Sequence, residues 1–411
     1  MTLTFQQHAP HAGFEVVDDC LQIGGRPLTR LAAEVGRTPF YAYDRSQLTQ
    51  RVELLRRTFP RDAHLHYAIK ANPMPEVVRH LGVLTDGLDV ASAGELEIAL
   101  ASGVAPRTIS FAGPGKGIEE LRAAVLAGVT VNLESETEMQ RLAALGRELG
   151  RRPYAAVRVN PDFELKTSGM KMSGGPKQFG VDAERVPQML AELGRLPLQF
   201  VGFHIFSGSQ NLRADAICDA QRKSVALAIE LARHAPAPVQ LLNIGGGLGV
   251  PYFAGETALA LEPIAANLRA LGEEVRAALP QAELVLELGR YLTAEAGIYV
   301  CRVIDRKLSR GQVFLITDGG LHQHLAASGN FGQVIRKNYP VLVGNRVRGT
   351  EREVVSVVGP LCTPLDLLAD RMEMAHADVG DLIVVLQSGA YGLTASPLRF
   401  LGHPAPAEVL V

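Results

Sequence analysis

Cysteine is scarce and dispersed in this 411-residue chain: Cys20, Cys218, Cys301 and Cys362 lie far apart and make no CxxC pair. That spacing argues against a disulfide framework and against a structural zinc site. Charge of one sign is not in excess either. The 41 Lys and Arg face 43 Asp and Glu, a formal net charge of −2, so the electrostatic footprint of a nucleic-acid binder is missing. The longest apolar runs are strand-sized and interrupted by polar residues or glycine, which leaves no transmembrane span to expect. The opening MTLTFQQHAPHAGFEVVDDC has neither the basic start nor the apolar core of a signal peptide. A cytoplasmic protein is the expectation. What the chain does have is apolar content, 47% of its residues, enough over this length for two domains with cores of their own.

From about residue 38 to 290, short β-branched or apolar runs alternate with helical patterns. Eight candidate strands are LHYAIKA (65–71), GLDVAS (87–92), TISFAG (108–113), VTVNLE (129–134), AAVRVN (155–160), FVGFHIF (200–206), QLLNI (240–244) and LVLELG (284–289). Helix-like stretches lie between them, among them 95–102, 119–127, 136–150 and 213–234. Several begin at an acidic or hydroxyl residue and stop at glycine, as helix ends prefer. This alternation predicts a parallel sheet, and eight units over this length predict closure into an α/β (β/α)8 barrel. An open doubly wound sheet is the alternative. After residue 290 the pattern changes to strand-like runs at 298–304, 313–316, 353–358 and 382–386, separated by Gly- and Pro-containing turns. A second, β-rich domain of sandwich or barrel type is expected there. Residues 14–35 hold a hairpin-like segment with Gly24-Gly25 at its turn, a candidate partner for that distal domain. The expected division is 38–288 for the barrel and 1–37 plus 289–411 for the β-rich domain.

Active sites of such barrels open at the C-terminal ends of the strands, and here those ends carry chemistry. Lys70, in YAIKAN, is flanked by apolar residues at the tip of the first strand. Burial there would disfavour an ammonium and lower its pKa, the state an amine needs to attack a carbonyl. A lysine snorkelling to the barrel mouth is the plainer reading. Gly245-Gly246-Gly247, followed by Leu248-Gly249, would let backbone N–H groups approach a phosphate closely, although an ordinary turn is the commoner use of such a run. Ser209 would add a hydroxyl from the neighbouring loop, and phosphate sites in these barrels favour the late strands. Glu287 ends the eighth strand, ahead of Gly289 and Arg290. A carboxylate beside a pyridine nitrogen keeps that nitrogen protonated and the ring a good electron sink, and the arginine could grip a phosphate or carboxylate bidentately. A Glu–Arg pair at a barrel rim is the bland alternative. Lysine, phosphate cradle and carboxylate together describe a pyridoxal phosphate site better than three separate accidents do.

The motifs YAIKAN, LDVASAGEL, GFHIFSGSQ, NIGGGLG, ELGRY, GPLCTPLD and SGAYG occur in the order found in fold-type III pyridoxal-phosphate-dependent decarboxylases. The sequence resembles that family, which includes diaminopimelate and eukaryotic-type ornithine decarboxylases, over roughly residues 38 to 403. The resemblance implies an alanine racemase-like barrel plus β-domain, carboxy-lyase activity on an amino acid, and a head-to-tail homodimer with active sites at the interface. It makes Lys70 the cofactor lysine, and puts Asp89 and Arg158 around the cofactor. Ser209, Gly246, Gly247, Gly289, Arg290 and Tyr391 would surround the phosphate or the substrate carboxylate. Glu287 would face the pyridine nitrogen, and Cys362, donated by the partner subunit, would be the acid that returns a proton after decarboxylation. On its own, Cys362 reads as a buried apolar cysteine.

Departures from the family pattern bear on specificity. Phe206 stands where the family commonly stacks a histidine on the cofactor ring, and His204, two residues earlier, matches a histidine of the diaminopimelate enzymes. Thr363 replaces an acid that binds the substrate's distal amine, a charge-assisted bond worth roughly 1.5–3 kcal/mol. Another acid, such as Asp366, would have to take over for a diamino substrate. Gln178 replaces a lysine of an inter-subunit salt bridge. Thr363, Phe206 and MKMSGGPKQFG look closest to a subgroup with the butirosin-type decarboxylase of carrier-protein-bound glutamate and the exosortase A-associated decarboxylases. That implies a substrate whose distal end is neutral or attached to a carrier protein. Alternatives are a true diaminopimelate decarboxylase of lysine biosynthesis, a pyridoxal-phosphate racemase, a non-catalytic cofactor-binding protein, and a metal-dependent barrel hydrolase using His64 and His66. No metal is expected, because those histidines precede the strand's end and later strands supply no obvious ligand set.

Overall fold

The structure is a computed structural model and describes residues 13–164, 170–331, 333 and 336–411. The chain divides into two compact units. The first, residues 51–250 and 259–291, is built on eight parallel strands: β1 Ala63–Ala68, β2 Gly87–Val90, β3 Ile109–Phe111, β4 Thr130–Leu133, β5 Tyr154–Asn160, β6 Gln199–His204, β7 Leu241–Gly246 and β8 Glu283–Leu288. These runs are almost wholly buried, as expected of strands covered on both faces, which lack an alternating pattern. Each pairs with the next, β4 pairs with β5, and β8 returns to β1 through Leu284–Ala63 to Leu288–Tyr67. The ring is closed, which excludes the open doubly wound sheet.

Helices α1 Pro75–Leu84, α2 Ala93–Ala101, α3 Ile118–Ala127, α4 Glu136–Glu148, α5 Val186–Leu193, α6 Ala214–Ala232 and α7 Glu262–Ala278 run between the strands. Their ends follow local chemistry. The Ser92 and Ser135 hydroxyls accept the N–H groups of Glu95 and Glu138 at 3.2 and 3.1 Å, satisfying a donor that the first turn leaves orphaned. α3 stops at Gly128, in a left-handed conformation that glycine adopts without steric cost. Among the described residues, no helix is long and apolar enough to cross a membrane.

The second unit comprises the described residues up to 50, 251–258 and 292–411. Its eight-stranded sheet contains Phe40–Tyr43, β9 Gly297–Ser309, β10 Gln312–Thr317, β11 Val341–Val343, β12 Arg352–Val358, β13 Leu367–Ala375, β14 Leu382–Val385 and β15 Ala407–Leu410. Phe40–Tyr43 pairs with β9 and with β15, so the barrel boundary expected at residue 38 falls instead after Gln50. The N-terminal hairpin turns at Gly24 and Gly25, both at positive φ. Its Leu21 and Ile23, with Leu28 and Leu31 beyond, pack into one core with Ile298, Val300, Leu382 and Val384, and Leu21 N–H donates to Gly344 O at 2.8 Å.

Candidate active site

Every barrel strand supplies a buried polar residue: His66, Asp89, Ser110, Asn132, Arg158, His204, Asn243 and Glu287 in strand order. A barrel interior is normally filled by branched apolar side chains, so a polar layer needs partners, and most of these have them. Ser110 Oγ donates to Asp89 Oδ1, and Asn132 Nδ2 donates to Ser110 Oγ at 3.2 Å. His66 Nδ1 lies 3.5 Å from the same Asp89 oxygen. Burial would lower the His66 imidazole, but the Asp89 carboxylate outweighs it and the balance is a rise. Asp89 Oδ2 is buried without a hydrogen-bond partner.

Lys70 sits in a one-turn 3-10 helix, Ile69–Ala71, directly after β1. Its Nζ lies 3.0 Å from Glu287 Oε1 and 5.5 Å from the centre of the Phe206 ring. The apolar flanks of Lys70 predict a dehydrated amine; instead the side chain keeps 41% of its exposure and faces a carboxylate that is 4% exposed. The other Glu287 oxygen lies 3.0 Å from His204 Nε2. Burial alone would raise the Glu287 carboxyl, but the Lys70 ammonium and then His204 overcome it and hold the group far below the usual carboxylate range.

Beside this pair runs the β7 turn. Gly245 and Gly247 have φ of +70° and +78°. A Cβ on Gly245 would come within 2.8 Å of Phe206 Cδ2, and one on Gly246 within 2.2 Å of Glu287 O. A Cβ on Gly289 would meet that of Ala71 at 3.0 Å, and Arg290 follows it at the start of a short helix. The neighbouring loop holds the hydroxyls of Ser207 and Ser209, both buried and without a hydrogen-bond partner. Tight glycine backbone and two orphaned hydroxyls fit a phosphate, and the unpartnered Oδ2 of Asp89 adds a polar atom in want of a ligand.

Arg158 is committed on one side to Glu134: NH1 lies 2.8 Å from Oε1, and its guanidinium 5.0 Å from the Phe179 ring. Glu134 also accepts the N–H groups of Gly113 and Gly180. Nearby, buried Lys116 bonds Glu138 at 2.9 Å and the Asn132 carbonyl at 3.0 Å. Glu134, Lys116 and Glu138 stand outside the motifs singled out in the sequence. The available signal was a glutamate closing the run VTVNLE at a strand end. His64 and His66 do not converge with other ligands: among the described residues no group of three or more His, Cys, Asp or Glu could hold a metal.

The remaining sequence-predicted residues lie in the β-rich unit. Cys362 is exposed rather than buried, and Thr363 Oγ1 accepts the Leu365 N–H at 3.3 Å. Asp366 is buried, and its two oxygens accept the N–H groups of Leu321 and Leu361 at 2.7 and 2.8 Å. It ties the Cys362 loop to the segment after β10, with each oxygen already engaged by a backbone donor. Tyr391 has a φ of +54° and its ring lies 6.4 Å from that of Phe331. Gln178 is exposed.

A closed β/α barrel with a lysine on a buried carboxylate, beside a cradle of glycines and serines, defines a barrel of the pyridoxal-binding class. Residues 45–294 match the family described as "Pyridoxal-dependent decarboxylase, pyridoxal binding domain". The chain is 37% identical to the L-glutamyl-[BtrI acyl-carrier protein] decarboxylase of Niallia circulans, across 91% of this chain and 88% of that protein. It is 34% identical to the diaminopimelate decarboxylase of Aquifex aeolicus, across 97% and 92%. The crystal structure of diaminopimelate decarboxylase from M. jannaschii superposes with a TM-score of 0.88 at 27% identity, covering 97% of this chain and 92% of that one. The chain belongs to the pyridoxal-dependent decarboxylase family. It is a pyridoxal-phosphate-dependent amino-acid decarboxylase with the barrel and β-rich domain of that family.

Proposed function

We propose that this enzyme decarboxylates an amino acid whose distal end carries no free ammonium, either neutral or tethered to a carrier protein. The observation that carries this reading is the loop 361–366. Thr363 offers only a neutral oxygen, and both oxygens of Asp366 are held by backbone N–H groups. A distal ammonium taken out of water requires a partnered acceptor, and leaving it bare costs several kcal/mol. The Niallia circulans relative, whose name puts its glutamyl substrate on an acyl-carrier protein, supports the same reading.

In this reading Lys70 holds the cofactor, and Glu287 holds a proton at its ring nitrogen. Ser209, Gly246, Gly247, Gly289, Arg290 and Tyr391 bind the phosphate or the substrate carboxylate, and Asp89 and Arg158 line the ring. Phe206 gives the ring an apolar face. The bound pyridoxal phosphate supplies the electron sink that takes up the electron pair left as carbon dioxide departs. Cys362 would then donate the proton on Sγ to the carbon that has released carbon dioxide, leaving a thiolate. Its exposure leaves it available to a second copy of the chain, and we assign the working enzyme to a homodimer with shared sites. The four cysteines, all free, suit a cytoplasmic setting. Borohydride reduction of the holoenzyme, followed by peptide mapping, should fix the cofactor on Lys70. A Lys70→Ala protein that still gains a reducible adduct at full occupancy would show the assignment to be wrong.

A further inference from the structure

Glu287 has two carboxylate oxygens, and the barrel gives them different partners. Oε1 lies 3.0 Å from Lys70 Nζ, and Oε2 3.0 Å from His204 Nε2. His204 is 2% exposed and Glu287 5%. The far ring nitrogen, His204 Nδ1, is buried without a hydrogen-bond partner. A bare nitrogen lone pair facing a carboxylate oxygen at this distance would be repelled, so Nε2 carries a proton and donates it. A second proton at Nδ1 would make a charged donor in the interior with nothing to accept from it, and that is the more costly arrangement.

We infer that His204 is a positioning residue, protonated at Nε2 alone, that pins Oε2 of Glu287 and leaves only Oε1 to serve a donor in the site. The inference rests on the assignment of Lys70 and Glu287 to the cofactor, and deepens it. Oε1, now held by the Lys70 amine, is then the oxygen that would serve the ring nitrogen of a cofactor held by Lys70, and His204 would keep it oriented for that donor. Without His204 the carboxylate can rotate, and its second oxygen has no donor. A histidine suits the task because a neutral ring donates without adding a charge that would compete with Lys70 for the carboxylate.

Two measurements test this. Nitrogen-15 NMR of the histidine-labelled apo chain, with His204→Gln used to assign the signal, should show His204 protonated at Nε2 and bare at Nδ1 at neutral pH. Pyridoxal phosphate titration should then separate two variants. His204→Gln, whose amide can still donate to Oε2, should bind within about threefold of the parent. His204→Leu, which cannot donate, should bind about ten- to a hundredfold more weakly, with its apo unfolding midpoint measured alongside. A proton at Nδ1 overturns the inference, as does His204→Leu binding with unchanged affinity. So does an equal loss in both variants, which would reveal packing rather than donation. Should His204→Leu not fold, the NMR tautomer and the His204→Gln affinity decide. If instead borohydride fails to fix the cofactor on Lys70 of the parent, the site assignment falls, while the apo NMR still reads His204 by itself.

Discussion

Thr363 and Asp366 show how a single side chain changes meaning once its partners are known. From sequence, Asp366 could replace the missing distal acid. In the fold it closes a backbone knot between Leu321 and Leu361, so restoring recognition of a second ammonium requires a new carboxylate. Thr363→Glu should raise kcat/KM for diaminopimelate by about ten- to a hundredfold, the equivalent of roughly 1.5–3 kcal/mol for a charge-assisted bond. Carbon dioxide release with the purified variant checks this, and an unchanged kcat/KM would mean that the loop is not the distal subsite. The meeting of Lys70, Glu287 and the β7 glycines was legible because short motifs place them at strand ends. Glu134, Lys116, Glu138 and His66 were not. Each gains its role from a partner 21 to 24 residues away on the neighbouring barrel strand or the loop after it or, for Lys116, from the next helix but one, and no local pattern announces such a meeting.

Two elements make their own predictions. In the β7 turn, Gly245→Ala forces an L-residue into φ of +70° and drives its Cβ toward Phe206. The apo protein should lose about 1–2 kcal/mol of stability, and cofactor affinity should fall with it. A denaturant midpoint and a cofactor titration both unchanged would show that the turn has room to spare. In the segment after β10, burial pushes His322 down to about 4 and His324 to about 3. A histidine kept neutral in the fold but free to protonate when unfolded binds fewer protons in the native state below about pH 6.5. Stability is therefore present above that pH and declines as pH falls toward the folded values, by up to about 1.4 kcal/mol per pH unit for each group. His324 Nδ1 accepts the Ala327 N–H and Nε2 lies 2.8 Å from Ser388 Oγ. His324→Gln should flatten this acid limb in unfolding midpoints measured from pH 7 to 5, and an identical limb in both proteins would contradict the assignment. The barrel strands were readable at this scale from their alternation with helices. FYAY at 40–43 was not, because a strand buried at every position has no alternation to say which sheet it joins.

At the scale of the whole molecule, closure of the barrel followed from counting eight β/α units, whereas the allocation of residues 38–50 needed long-range pairing with β9 and β15 that no local pattern encodes. The proposed sharing of active sites between subunits has a direct consequence. Lys70→Ala and Cys362→Ala, each inactive alone, should regain activity when mixed, because a hybrid dimer contains one site with both residues intact. Verified subunit exchange without any recovered turnover would rule out the shared site. That the substrate carries no free distal ammonium is tested by carbon dioxide release from the unmodified holoenzyme, comparing diaminopimelate with free glutamate and with glutamate linked to an acyl-carrier protein. Turnover of a substrate with a neutral or tethered distal end and poor turnover of diaminopimelate are expected, and efficient decarboxylation of diaminopimelate would overturn this assignment.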